Sequence, residues 1–209
     1  MPASPLPLAV LHLDESCLGN GRDGATPGGS AGLIETRVGG RIQRRDFYIH
    51  SADTTNNRMA LSGAIAALQL LAGKGNRLRA LLVSDSEYLV KGMREWVPGW
   101  IARGWRRKGG EIENLELWRL LVDSAARHEV QWAWVRGHRG HAKNEYANDL
   151  AVRAATEQIT SAGAVPSGFA DWLETHRAKG QYADYDPDAD FDRLEHRLAS
   201  GEGFRHADS

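Results

Sequence analysis

From Thr54 to Leu78 the chain carries no aspartate or glutamate, so that segment cannot supply a carboxylate to a metal ion or to acid–base chemistry. There is a single cysteine, Cys17. It excludes an internal disulfide framework, and it leaves His138 and His141 without the thiolates of a structural zinc site. No apolar run approaches the ~20 residues that cross a bilayer. The start, Met1-Pro-Ala-Ser-Pro, lacks the basic-then-apolar order of a secretory signal. A cytoplasmic protein with no membrane partner is the expectation. An excess of basic residues is missing too. The formal net charge of −1 argues, taken alone, against a partner rich in phosphates.

What is present changes that reading. The run Trp100-Ile-Ala-Arg-Gly-Trp-Arg-Arg-Lys108 holds four cations and no acid, whereas Asp184, Asp186, Asp188, Asp190 and Asp192 form an acidic run. Segregated charge says more about partners than the sum does. With 42% hydrophobic and 25% charged residues in 209, there is material for one domain of ordinary size plus an extension.

Periodicity predicts the elements. Leu8 to Leu13 reads as a strand, and Ala31 to Val38 and Gln43 to His50 read as a hairpin around Gly39-Gly40. Apolar residues at Leu61, Ile65, Leu68 and Leu71 predict a helix over 57–71, capped by Thr54 or Thr55. Leu78 to Val83 is a further strand, followed by a helix from Glu87 and a short one over 96–103. Leu115 to Arg127 has helical spacing, Val130 to Val135 alternates as a strand, and a helix over 143–156 follows. Three strands, helix, strand, helices, strand and helix make an α/β fold with a five-stranded mixed β-sheet flanked by α-helices.

Four segments carry the chemistry: Asp14-Glu15-Ser16-Cys17-Leu18-Gly19-Asn20, Thr54-Thr55-Asn56-Asn57-Arg58-Met59-Ala60, Ser84-Asp85-Ser86 and Trp134-Val135-Arg136-Gly137-His138. In that order they resemble the active-site blocks of type 1 ribonuclease H, over about residues 6–157. The resemblance implies a ribonuclease H-like domain at 1–157 with a C-terminal extension at 158–209. The extension is expected to be partly helical, then acidic and weakly ordered. It also implies a monomer that hydrolyses the RNA strand of RNA–DNA hybrids with Mg²⁺ or Mn²⁺, by a two-metal-ion mechanism.

The metal ligands implied are Asp14 and Asp85, each at a strand end. The family's third acid, on the first long helix, falls on Ala60, and its fourth, on the last helix, falls on Asn148. An amide offers a carbonyl oxygen but no charge. Three explanations stand side by side. Glu15, where the family usually has glycine, supplies the lost carboxylate. Alternatively, Ala60 and Asn148 mark a deliberately inactivated variant, or the chain is a natural hybrid-binding protein with little or no catalysis. Alternation along a strand sends neighbours to opposite faces, so Glu15 serves the site only if the strand ends or twists there. Asp53, Glu87, Glu145 and Asp149 are weaker substitutes, Glu145 the best of them.

His138 matches a histidine that relays protons in the family. Asn20, Thr55, Asn56 and Asn57 match contacts to backbone phosphates and to the 2′-hydroxyls that distinguish RNA. Trp100, Arg103, Trp105 and Arg106 resemble the family's basic protrusion, which grips the DNA strand. In the tail, Asp184-x-Asp186-x-Asp188 superficially follows a calcium-loop spacing, although Ala189 stands where the sharp turn needs glycine. The acidic tail is also a candidate competitor of nucleic acid for the protrusion.

Overall fold

The computed structural model describes residues 6–19, 26–73, 75, 77–137 and 140–200. Strands β1 (Leu8–Cys17), β2 (Gly28–Val38) and β3 (Arg41–Ser51) form an antiparallel meander. Gly39 and Gly40 turn β2 into β3 at φ of 57° and 77°, the left-handed backbone that a two-residue hairpin needs. Strands β4 (Arg79–Ser84) and β5 (Glu129–Trp134) add in parallel on the other side of β1. Helix α1 (Asn56–Ala72) is the crossover before β4. Before β5 come α2 (Glu87–Lys91), a π-helical turn (Gly92–Trp96), α3 (Val97–Ala102) and α4 (Leu115–Ala125).

The sheet has six strands rather than five. Strand β6 (Val165–Pro166) pairs with Arg45 and Asp46 on the free edge of β3, giving the order β5-β4-β1-β2-β3-β6. Two residues, one of them a proline tolerated only at an edge, leave no alternation to read in the sequence.

Alternation along β1 divides the core. Ala9, Leu11 and Leu13 pack with Leu61, Leu68 and Trp118 beneath α1 and α4, while Leu8 and Val10 face the other way. Helix α1 starts where the Thr55 Oγ1 accepts the Arg58 amide at 3.3 Å. It lies close on β2 because Gly63 has no side chain, and a Cβ there would stand 2.0 Å from Ser30 Oγ. On the opposite face α5 (Ala142–Glu157) presses Ala151, Ala154 and Ala155 onto β2, so a Cβ at Gly29 would meet the Ala151 carbonyl at 2.3 Å.

The extension is more ordered than its composition suggests. Helix α6 (Phe169–Arg177) packs Phe169 and Leu173 against Leu33 and Tyr146. The acidic run, expected to be weakly ordered, forms α7 (Pro187–Ala199), and residues 201–209 lie outside the described residues. Phe191 and Leu198 bury themselves over Leu8, Val10, Leu81 and Val83, the part of the sheet that α5 does not cover. Each acid of α7 meets a cation from far along the chain. Asp192 and Glu195 pair with Arg37, Asp188 with Arg44, and Asp190 with Lys143 at 2.9 Å. Asp186 caps α7, accepting the amides of Asp188 and Ala189. Neither the calcium-loop reading nor competition for the basic protrusion survives this. The acids are engaged by arginines on β2 and β3 and by a lysine on α5, partners too distant in sequence to be read.

Beneath α7 lies a buried ionic cluster. Glu35 receives Lys143 Nζ at 2.7 Å and Arg44 Nε at 2.8 Å, and His12 Nε2 stands 3.4 Å away. Burial alone would raise the Glu35 carboxyl, but His12 and Lys143 outweigh it and hold the group at about 2. Losing a partner from such a cluster costs far more than the cluster gains over apolar packing. Among the described residues no helix is long and apolar enough to cross a membrane. If α7 is part of the core, Phe191→Ala lowers unfolding free energy by about 3 kcal/mol in urea titration. A loss under about 0.5 kcal/mol, the scale of a surface change, would contradict the docking.

Candidate active site

Parallel β1 and β4 end side by side, and the first residues past their shared register point out of the same sheet edge. Asp14 follows the last β1–β4 pair, Leu13 with Ser84, and Asp85 follows on β4. Asp14 lies opposite Ala31 and Glu15 opposite Ser30 on β2. Ser30 faces α1, while Gly29, and with it Ala31, faces α5. Asp14 is therefore directed to the α5 side and Glu15 to the α1 side of one strand end. The strand does not stop at Glu15, as the sequence argument required. It runs on to Cys17, yet at this end of the sheet the charges of Asp14 and Asp85 both reach Glu15.

Asp14 is 5% exposed. Its Oδ1 accepts the Glu15 amide at 2.7 Å and its Oδ2 accepts Asn144 Nδ2 at 3.3 Å. Asn144 also reaches the Leu13 carbonyl at 3.3 Å, which ties α5 to the end of β1. Burial pushes the Asp14 carboxyl up to about 8, helped by the charges of Asp85 and Asp149. Glu15 is raised to about 8 as well, by burial and then by Asp14 and Asp85, with a hydrogen bond to Ser86 working the other way. Asp85 is fixed from two sides. Trp134 Nε1 donates to its carbonyl at 3.0 Å, and a Cβ on Gly137 would stand 2.2 Å from its Oδ2. The loop passes that carboxylate at a distance only glycine permits.

Three acids thus influence one another across the cleft, although among the described residues no three His, Cys, Asp or Glu side chains are gathered into a ready metal cage. Burial first, and then the neighbouring negative charges, disfavours ionisation of Asp14 and Glu15. Ala60 is buried in the core cluster that includes Leu13. Asn148 sits half-exposed on α5, one turn beyond Asn144.

The other predicted residues divide. Asn20 and His138 lie outside the described residues. Thr55 is exposed at the start of α1, followed by Asn56 and Asn57, and Asn56 Oδ1 is a buried acceptor with no hydrogen-bond donor. Arg103 and Arg106 are exposed, and Arg103 Nε donates to the Arg106 carbonyl at 3.3 Å. Trp105 is half-buried at φ 60° with Arg119 over its ring at 5.5 Å. Trp100 is the correction here. It is 8% exposed, packed on Trp118 at 5.7 Å and Trp96 at 6.0 Å, so most of its ring belongs to the core, and little of it is left to meet a substrate. Sequence reasoning missed Asn144, Gly137, Ser86 and Trp134. Ser86, Trp134 and Gly137 stood inside the recognised segments without a role assigned to them, and Asn144 left a signal as an amide one helical turn before Asn148.

The family model described as RNase H matches residues 8–156. The chain is 40% identical over 157 residues to the ribonuclease H of Pelobacter propionicus, covering 75% of this chain and 90% of that one. It is 42% identical over 149 residues to the ribonuclease H of Xanthomonas campestris, covering 71% and 92%. Among solved structures it is similar to LC9-RNase H1, described as a type 1 RNase H with the type 2 active-site motif. The TM-score is 0.76 at 50% identity, over 81% of this chain and 82% of that one. The ribonuclease H domain of PFV shares the fold at 15% identity and a TM-score of 0.61.

The raised carboxyls set a pH dependence. Folded Asp14 and Glu15 titrate near 8 against ordinary values of 3.8 and 4.5, so between those limits the native state holds protons that the unfolded chain releases. Stability in chelator therefore falls as pH rises from about 4 to about 8. Urea midpoints at pH 5 and pH 8 should differ less in Asp14→Asn/Glu15→Gln than in the parent. Parallel profiles would contradict the shifts.

Proposed function

The chain belongs to the ribonuclease H family, and from that premise we propose that it is a metal-dependent endonuclease. It hydrolyses the RNA strand of RNA–DNA hybrids and leaves 5′-phosphate and 3′-hydroxyl ends. The observation that carries the reading is the convergence of Asp14, Glu15 and Asp85 on one sheet edge, two of them with carboxyls at about 8. Carboxyls kept from ionising by burial and by one another are a donor set that a hard divalent cation relieves. Asp14, Glu15 and Asp85 would hold the ions, with the Asn148 carbonyl as a neutral donor. When bound, such ions would supply Lewis acidity to a water and offset the charge that develops on the departing oxygen.

The chain's own groups do the rest. Asn144 orients Asp14, Ser86 orients Glu15, and Trp134 with Gly137 fixes Asp85. Glu15, reaching the cleft from the α1 side, takes the role of the carboxylate that Ala60 lacks. The description of the 50%-identical LC9-RNase H1 as carrying another type's active-site motif supports a rearranged acid set. His138 would pass protons near neutral pH. Thr55, Asn56, Asn57 and Asn20 would hold the hybrid, and the donor-less Asn56 Oδ1 suits a 2′-hydroxyl. Arg103 and Arg106 would supply charge to the DNA backbone. Fewer carboxylates favour Mn²⁺ over Mg²⁺, since Mn²⁺ binds N/O sites among the transition ions with greater affinity than a hard, reluctantly dehydrated Mg²⁺. The reading places a monomer in the cytoplasm, with 1–157 as the catalytic domain and 158–209 as its extension.

A second reading, a hybrid-binding protein with weak or no catalysis, draws on Ala60 and Asn148. Turnover separates the two. Cleavage of a labelled hybrid should be faster with Mn²⁺ and should fall at least on the order of 100-fold in Glu15→Gln, with partial recovery in Glu15→Gln/Ala60→Glu. No cleavage by the parent chain with either ion would favour the binding protein. Hybrid affinity should also weaken with salt, and Arg106→Ala should reduce the log–log slope by about 1. An unchanged slope would remove Arg106 from the interface.

A further inference from the structure

Two acids remain on α5 beside Asn148: Glu145 one turn earlier and Asp149 next in sequence. Either would restore a charge that the metal site lacks, yet each is engaged by the C-terminal extension. The Trp172 indole Nε1 donates to Asp149 Oδ2 at 2.7 Å. Tyr182 lies near enough to Glu145 for the carboxylate, after burial, to raise its hydroxyl, and Glu145 Oε1 accepts the Gly140 amide at 3.1 Å. Asp149 is not remote from the cleft, since its charge is felt at Asp14. The observed partner of its carboxylate is the Trp172 indole.

The donor is itself held firmly. Trp172 is stacked on His176 at 3.8 Å between ring centroids and on Phe169 at 6.0 Å, with Tyr146 edge-on at 5.6 Å and Tyr182 at 5.7 Å. His176 Nδ1 meets the Trp172 carbonyl at 2.8 Å, fixing the next turn of α6. Tyr146 on α5 completes the assembly through its hydroxyl bond to Asp46 on β3. A rigid ring that donates one charge-assisted hydrogen bond fixes its carboxylate partner in direction as well as in place.

We propose that Trp172 and Tyr182 are positioning residues that hold Asp149 and Glu145 out of the metal cleft, so that the extension sets how many acids the site presents. This rests on the metal-site reading above. The chain thereby keeps an acid set of Asp14, Glu15 and Asp85 next to neutral Asn148, even though α5 carries two nearby carboxylates. Metal affinity is then a property of the extension as well as of the catalytic domain, because directing a neighbouring carboxylate tunes a metal site without touching its ligands.

The test is calorimetric titration of the full-length chain with Mn²⁺, without nucleic acid. Trp172→Phe keeps the aromatic packing and deletes the donor, and Tyr182→Phe deletes a single oxygen. The expected result is Mn²⁺ binding on the order of tenfold tighter in Trp172→Phe, with the gain absent from Trp172→Phe/Asp149→Asn. Tyr182→Phe moves affinity the same way by a smaller factor and serves if the tryptophan variant fails to fold. Unchanged affinity in the folded variants would overturn the proposal, as would weaker binding, which would mean that Asp149 is held for the metal. If the parent binds no Mn²⁺, the metal-site reading fails first and takes this one with it.

Discussion

Side-chain alternation along a strand is the constraint on which the site depends. Adjacent residues of β1 must look to opposite faces of the sheet, and Asp14 and Glu15 do so, one toward α5 and the other toward α1. Inside the sheet such a pair would be separated by a layer of backbone. At the end of the strand, beside Asp85, the charges of Asp14 and Asp85 still reach Glu15. A strand carboxylate aimed at α1 can then stand in for one that α1 does not carry. The electrostatic cost appears in the two carboxyls at about 8, and a divalent cation is the group that relieves it.

The rest of the molecule holds that strand end still. Asn144 joins α5 to Asp14 and to the Leu13 carbonyl, while the next residue back, Lys143, is anchored in the buried cluster with Glu35 and Asp190. Asp190 belongs to α7, so the extension, the sheet and the residue that orients Asp14 are mechanically linked. Helix α7 also supplies the apolar cover that β4 and β5 would otherwise lack on that face. The extension is thus tied to the active site by two routes, ionic through Lys143 and aromatic through Trp172.

Most of the fold was legible because it rests on local periodicity and on turn chemistry. The hairpin at Gly39-Gly40, the cap at Thr55 and the apolar spacing of α1 are all local signals. Asp14 and Asp85 stood out as candidates through their motifs, and Glu15 through standing where a glycine is usual. What stayed hidden was tertiary. The acids of α7 look like a solvated tail until Arg37, Arg44 and Lys143 are placed opposite them. That Trp100 packs against Trp96 and Trp118 is visible only in three dimensions. Gly137 reveals its role only when the Asp85 carboxylate lies against it.

The central claim is that Glu15 replaces the helix carboxylate as a metal ligand, and the most direct measurement is diffraction from Mn²⁺-soaked crystals at the manganese absorption edge. The account predicts anomalous density bridging Asp14, Glu15 and Asp85, with a Glu15 oxygen at roughly 2.0–2.4 Å, the range of hard-cation carboxylate bonds. Manganese held by Asp14 and Asp85 alone, with Glu15 still turned to Ser86, would contradict it.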